Sequence, residues 1–256
     1  MRPEKVNTPD CSVYAFVFDK IKEYGDEIAI IDHSTDKKIK FSEIQPKAEA
    51  IAAGLSERGI KKGDVVTIIA LNDPKYIIIC YAIMRLGAII NSLSPLSTQN
   101  TITQQLKDSN TKIILSNLFT HLQYFDSVVH FDDLIEDDIK KLPDVKISGE
   151  DEFLICWTSG TSTGRPKGVV HTHKSILSQY CMFLSNTSNK VKEFNGIRNK
   201  HIVPGVVPMS HMFGFYLYPF ATILQGACVV IIPKFDFEEF ITVLSKYKVT
   251  TIHVVP

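Results

Sequence analysis

The sequence predicts an α/β fold of mainly parallel sheets flanked by helices, and three observations carry that prediction. Val65-Val-Thr-Ile-Ile-Ala70 is a β-branched run without polar alternation, the pattern of a strand buried on both faces. Asn72-Asp-Pro74 follows, with Pro suited to a first helical turn; a strongly apolar helix then runs to Leu86, stops at Gly87 and yields to a second strand, Ala88-Ile-Ile90. Strands and helices keep alternating along the rest of the chain, which is how parallel sheets are built.

The elements follow in order. Residues 12 to 24 predict a helix, because Val13, Phe16, Val17 and Ile21 share one face; Asp10 or Ser12 can cap it. Residues 29–31 and 39–41 read as short strands around the polar turn at residues 33–36. Ser42 can cap the next helix, which carries Ala48, Ile51, Ala52 and Leu55, with Pro46 tolerated near its first turn. After the strand–helix–strand unit, a helix near residues 101–108 leads to a strand at 112–115, and a helical piece near His121 leads to Val128-Val129. Residues 153–156 and 168–172 predict strands, and a helix over 237–247 leads to a strand over 251–255. Between residues 131 and 152 the composition turns acidic, with Asp132, Asp133, Glu136, Asp137 and Asp138 close together; this is a solvated connecting segment. The whole chain reads as one truncated domain, since it stops at Pro256 directly after a β-branched strand rather than in a polar linker.

Composition excludes several functions. The chain has 256 residues with 45% hydrophobic content, enough for a sizeable core. Its 28 basic and 28 acidic residues cancel, so no global field favours nucleic acid or an anionic membrane. Five cysteines (Cys11, Cys80, Cys156, Cys181 and Cys228) lack zinc-type spacing and read as buried free thiols in a reducing compartment. The polar N-terminus has no signal-peptide pattern. The longest apolar run, residues 76–84, is nine residues, far short of the roughly 20 that span a bilayer.

The stretch with most chemistry is WTSGTSTGRPKGVVHTH, residues 157 to 173. It is no Walker loop: three residues separate Gly160 from Gly164, and Lys167 follows only after Arg165 and Pro166. The segment still offers five hydroxyls (Thr158, Ser159, Thr161, Ser162 and Thr163) and two glycines that let main-chain N–H groups approach a ligand. Such donors, with Lys167 as a point charge, match a polyphosphate. The residues alone also allow a flexible Ser/Gly hairpin; Pro166, by stiffening the loop end, favours a positioned lysine. His211, beside Met212 and Phe213, is a second candidate, with a satisfied, partly buried histidine as the alternative. His171 and His173 have no acidic or thiol ligand nearby in sequence, so no metal site is expected there.

At these residues the sequence resembles the adenylate-forming (AMP-binding) superfamily, in particular acyl- and aryl-CoA synthetases of the 4-coumarate-CoA ligase and luciferase type. Residues 41–55 with Gly63-Asp-Val-Val66, residues 105–115, and Pro208-Met-Ser-His211-Met-Phe-Gly214 are similar to further family blocks in the family's order. The resemblance implies a ligase that joins a small carboxylic acid to ATP as an acyl-adenylate, releases pyrophosphate, and passes the acyl group to coenzyme A. It assigns Thr158, Ser159, Gly160, Thr161, Ser162, Thr163, Gly164 and Lys167 to the ATP phosphates. It sets His211 near the acyl carboxylate and α-phosphate, with Met212, Phe213 and Gly214 walling the acid pocket. Residues 204–225 hold no Asp or Glu, which favours aliphatic or aromatic acids over amino acids. The Mg²⁺ ligand, the adenine pocket and the C-terminal lobe are expected beyond Pro256, so residues 1–256 alone are expected not to turn over. A cytoplasmic setting is expected, with a peroxisomal one as the alternative.

The family loop has two residues between its glycines, where this one has three. One extra residue shifts a donor by up to about 3.3 Å, so either it bulges outward or the phosphate grip weakens. A degenerate, non-catalytic nucleotide-binding or interaction fragment is therefore the competing expectation, and a luciferase-like oxygenase is a third.

Overall fold

The computed structural model describes residues 7–118, 128–134, 142–158, 160, 165–186 and 201–253, without the side chains of residues 183–186. The first helix, α1 (Val13–Ile21), is capped by Ser12, whose Oγ accepts the Ala15 N–H at 3.1 Å, and a 3₁₀ turn, Lys22–Tyr24, extends it. Strands β1 (Ile28–Asp32) and β2 (Lys38–Lys40) form a hairpin. Helix α2 (Phe41–Glu57) starts earlier than the sequence predicts. Ser42 is not its cap: the Ser42 hydroxyl donates to Asp26, while the Glu43 carboxylate accepts the Lys40 N–H at 2.7 Å and the Phe41 and Ser42 N–H groups go to the Glu27 and Gly25 carbonyls.

The predicted strand–helix–strand unit is present as β3 (Val65–Ile69), α3 (Pro74–Arg85) and β4 (Ile89–Leu93). Helix α4 (Gln99–Asp108), β5 (Thr111–Ser116), β6 (Val128–His130), β7 (Glu152–Trp157) and β8 (Gly168–Thr172) follow. Then come α5 (His173–Asn186), β9 (Ile202–Gly205), α6 (Met212–Tyr216) continued by a π-helical turn (Leu217–Thr222), β10 (Cys228–Ile231) and α7 (Phe237–Lys246). The helical piece expected near His121 lies outside the described residues. Of the strand expected at 251–255, the described part runs beside β9, where the Thr250 and Thr251 N–H groups both reach the Ile202 carbonyl, without forming a ladder.

The strands form two sheets. One has the order β2-β1-β10-β9 and the other β6-β5-β3-β4-β7-β8. Pairing is parallel except for β1 with β2 and β7 with β8. Strand β3 is buried at all five positions between β4 and β5, with Val66 opposite both Ile90 and Ile113. Helix α3 is buried on every face from Tyr76 to Met84. It lies in a core that joins Ile30, Val229 and Ile231 of the four-stranded sheet to Val66, Ile90 and Phe153 of the six-stranded one. This explains its apolar, unpatterned sequence, since a helix between two sheets has no solvent face. All five cysteines are free, but only Cys80 is buried; the other four are half-buried.

The acidic segment is partly structured. Phe131–Asp133 form a 3₁₀ turn with Phe131 buried, and Lys62 ties down residues 146–151 by donating to the Lys146 carbonyl at 2.8 Å and pairing with Asp151 at 2.6 Å.

Candidate functional site

The first half of the site grows from β7 and β8, which run antiparallel from Glu152↔Thr172 to Trp157↔Gly168. Thr158 closes the ladder at the root of the loop: its N–H donates to the Lys167 carbonyl, and its Oγ1 accepts the Lys167 N–H, both at 3.0 Å. Gly160 stands at φ +71°, and a Cβ there would come within 2.7 Å of the Arg165 carbonyl carbon and Pro166 nitrogen. Only glycine meets both demands without displacing the chain. Arg165 donates twice to the Asp108 carboxylate, at 2.9 and 2.7 Å, and holds it below the usual carboxylate range. Lys167 is exposed. Ser159 and residues 161–164 lie outside the described residues.

A second tie secures the other root. The Trp157 indole N–H donates to Asn91 Oδ1 at 2.7 Å, and Asn91 Nδ2 reaches Thr67 at 2.8 Å and Ser109 at 3.0 Å. Asn91 and Thr67 are fully buried in the sheet, where such a network must be satisfied from within. Both roots therefore meet the corner of α4 at Asp108 and Ser109. A groove of 540 Å³ lies there, lined among others by Ile155, Trp157, Lys167 and Val170. Side chains alternate along a strand, so this groove faces away from Cys156.

Cys156 points to the second half. Its Sγ lies 3.3 Å from Met212 Sδ, and burial pushes its thiol up to about 12. This contact brings the end of β7 beside the predicted Pro208–Gly214 element. Its histidine caps α6: His211 Nδ1 accepts the Phe213 N–H at 3.3 Å, and the residue is exposed. Met212 and Phe213 are half-buried against the core. Gly214 packs so tightly that an added Cβ would sit 2.2 Å from the Pro208 oxygen. The Tyr218 hydroxyl braces the approach, accepting from Val206 N at 3.2 Å and Val207 N at 3.1 Å and donating to the Pro204 carbonyl at 3.1 Å.

His171 and His173 part company. His171 is half-buried on β8, while His173 is fully buried, stacked on Phe153 at 4.6 Å, and accepts the Val13 N–H at 3.1 Å through Nδ1. Burial lowers the His173 ring to about 4. Among the described residues no three His, Cys, Asp or Glu side chains gather to hold a metal ion, and no helix there is long and apolar enough to cross a membrane.

Sequence reasoning missed two features of the site. Asp108 reads there only as the end of a helix, 57 residues from Arg165. Asn72 reads only as part of a helix start, yet its side chain bonds to Gly205, Val207, Met209 and Ile232. A signal was available for Asn72, a polar residue just past the carboxyl end of a fully buried parallel strand, where α/β folds place their sites.

Two mainly parallel sheets packed around helix α3, with the end of the β7–β8 ladder beside the histidine-capped α6, define an α/β architecture. The chain belongs to the AMP-binding enzyme family, whose match runs from residue 17 to residue 256. It is 27% identical over 255 residues to the 4-coumarate–CoA ligase 1 of Solanum tuberosum, covering 93% of this chain and 46% of that protein. It is 26% identical to the peroxisomal OPC-8:0-CoA ligase 1 of Arabidopsis thaliana, covering 97% of this chain and 48% of that protein. The chain thus spans about half the length of the relatives it matches. Its fold is that of the long-chain-fatty-acid-CoA ligase FadD1 of Archaeoglobus fulgidus, with a TM-score of 0.81 at 22% identity over 97% of this chain and 52% of the other. The N-terminal domain of FACL13 from Mycobacterium tuberculosis superposes with a TM-score of 0.78 at 21% identity, covering 96% of this chain and 63% of that one.

Proposed function

We propose that residues 1–256 form the N-terminal part of an acid–thiol ligase, which activates a small aliphatic or aromatic carboxylic acid with ATP and transfers the acyl group to coenzyme A. The observation that carries this reading is the contact between Cys156 and Met212. It sets the root of a phosphate-type loop directly beside the His211 element, so a polyphosphate and a carboxylate can meet at one edge of the molecule.

In the first step a carboxylate oxygen bonds to the α-phosphorus, and the bond from that phosphorus to the pyrophosphate oxygen breaks. Negative charge gathers on the departing pyrophosphate. Lys167, the loop hydroxyls and the loop N–H groups are the donors for it, and donors already in place stabilise such charge without reorganising. His211 serves on the carboxylate side. Its Nδ1 is engaged by the Phe213 N–H, which leaves Nε2 to face a ligand. In the second step the coenzyme A thiolate attacks the acyl carbon and AMP departs. Five free cysteines suit a reducing, cytoplasmic setting.

The test is ATP–pyrophosphate exchange by the whole protein, supplied in turn with hydroxycinnamic acids and with fatty acids of graded length. The reading expects exchange that depends on one class of acid. Exchange with none of them, while ATP still binds, would instead establish the non-catalytic alternative.

A further inference from the structure

We propose that Asn72 is a positioning residue that holds the Pro208–Gly214 element, and through it His211, against the start of α3. This rests on the ligase reading only for what His211 does. The geometry stands on its own.

Asn72 follows β3 at its carboxyl end and is 5% exposed. Its Oδ1 accepts the Met209 N–H at 2.8 Å. Its Nδ2 lies 3.1 Å from the Gly205 carbonyl, 3.1 Å from that of Val207 and 3.3 Å from that of Ile232. Two N–H bonds thus serve three acceptors, and the single N–H facing the other end fixes which way the amide points. Gly205 ends β9 and Ile232 follows β10, so one side chain from the six-stranded sheet satisfies the ends of two strands in the four-stranded sheet. The Asn72 N–H adds a bond to the Pro233 carbonyl at 3.3 Å.

Met209 is held twice. While its N–H goes to Asn72, its carbonyl accepts the Tyr76 hydroxyl at 3.2 Å, and Tyr76 is paired with Ser92 at 2.6 Å. Both main-chain polar groups of Met209 are therefore bound to residues that start α3. Two residues on, the His211 N–H donates to the Pro208 carbonyl at 3.1 Å and its ring accepts from Phe213. The chain between Val207 and Phe213 is thus pinned ahead of His211 by Asn72 and Tyr76, and its direction sets where the imidazole stands. Asn72 is buried beneath the element and acts only through it.

Asn72→Ala and Tyr76→Phe in the whole protein test this; the second variant removes the hydroxyl's bonds to the Met209 carbonyl and to Ser92 and leaves the Asn72 amide in place. Three quantities are read: amide hydrogen exchange at Met209, His211 and Phe213 against Ile51 and Leu55 of α2; the ¹⁵N shifts of the His211 ring, which report its tautomer; and the kcat and ATP KM of carboxylate-dependent ATP–pyrophosphate exchange. The expected result for Asn72→Ala is at least tenfold faster exchange at residues 209–213 with less than twofold change in α2. His211 should lose its single tautomer, and kcat should fall tenfold or more with the ATP KM within threefold. Tyr76→Phe should move each in the same direction by a few-fold. Equal loosening of both regions, or a His211 ring that keeps its single tautomer in Asn72→Ala, overturns the proposal and leaves Asn72 a stabilising residue alone; a mobile His211 with unchanged kcat instead removes His211 from the reaction. If the wild-type protein shows no carboxylate-dependent exchange, the ligase reading falls, and the amide and ring measurements still decide whether Asn72 holds His211.

Discussion

The Pro208–Gly214 half of the candidate site is held by buried groups, whereas the β7–β8 half adds exposed charges to its buried Trp157–Asn91 tie. Asn72 and Tyr76, which secure the Pro208–Gly214 half, are 5% and 0% exposed, whereas Arg165 and Lys167 of the β7–β8 half stand in water. In the first half a lost partner leaves a buried group unsatisfied, at about 1–3 kcal/mol each. In the second, water replaces what is removed, and an exposed ion pair contributes little. Substitutions of the buried groups should therefore change stability and function together, while those of the exposed Arg165 and Lys167 should change function alone.

The sharpest test of that division is Lys167→Ala. Loss of one preorganised donor to a developing charge costs about 10²- to 10³-fold in rate, so adenylate formation should drop by that factor while the urea midpoint stays put. A shifted midpoint would mean the exposed half is load-sharing with the core. Gly214→Ala should do the reverse. Its Cβ would strike the Pro208 oxygen, and overpacking of this kind costs about 3 kcal/mol, visible as an earlier denaturant transition together with lost activity.

Acid provides a control at the far end of the β7–β8 ladder, away from the loop root and the His211 element. Burial keeps the His173 ring at about 4 in the folded chain, against 6.5 when unfolded. The unfolded state takes up this proton first as pH falls, so the stability is complete above pH 6.5 and is lost between 6.5 and 4. The full loss is about 3 kcal/mol. Stability measured against pH should lose this slope in His173→Gln, and a slope that persists would assign it to other groups. Gly160→Ala is expected to be milder. A strained φ and a backbone clash cost about 1–3 kcal/mol, here confined to the loop root, so pyrophosphate affinity should weaken more than global stability. The smallest effect belongs to Asp108→Asn, which should leave the thermal midpoint unresolved from wild type and raise the salt tolerance of pyrophosphate binding only slightly.

Much of the fold is legible in residues 65–90 because the signals there are local. A β-branched run, Pro74 at the first helical position and Gly87 at the end each act within a few residues, and β3, α3 and β4 stand where they predict. The loop candidates were legible for the same reason, since Gly160, Pro166 and Lys167 follow one another in a single stretch. The partnerships were not. Arg165 finds Asp108 across 57 residues, and Asn72 finds Ile232 across 160. No periodicity or capping pattern carries information over such a span.

The sequence by itself determined the alternation of strands and helices, the absence of any net charge to draw a polyanion, and a Ser/Thr/Gly stretch and a histidine element whose resemblance pointed to acid activation. Only the tertiary structure decided that the strands divide into two sheets, that β8 turns back against β7, and that one buried amide at the end of β3 ties the second sheet and the His211 segment to the first. The physical reason is that backbone propensity is settled among near neighbours. Which polar groups satisfy one another once water is excluded depends on where the folded chain brings them.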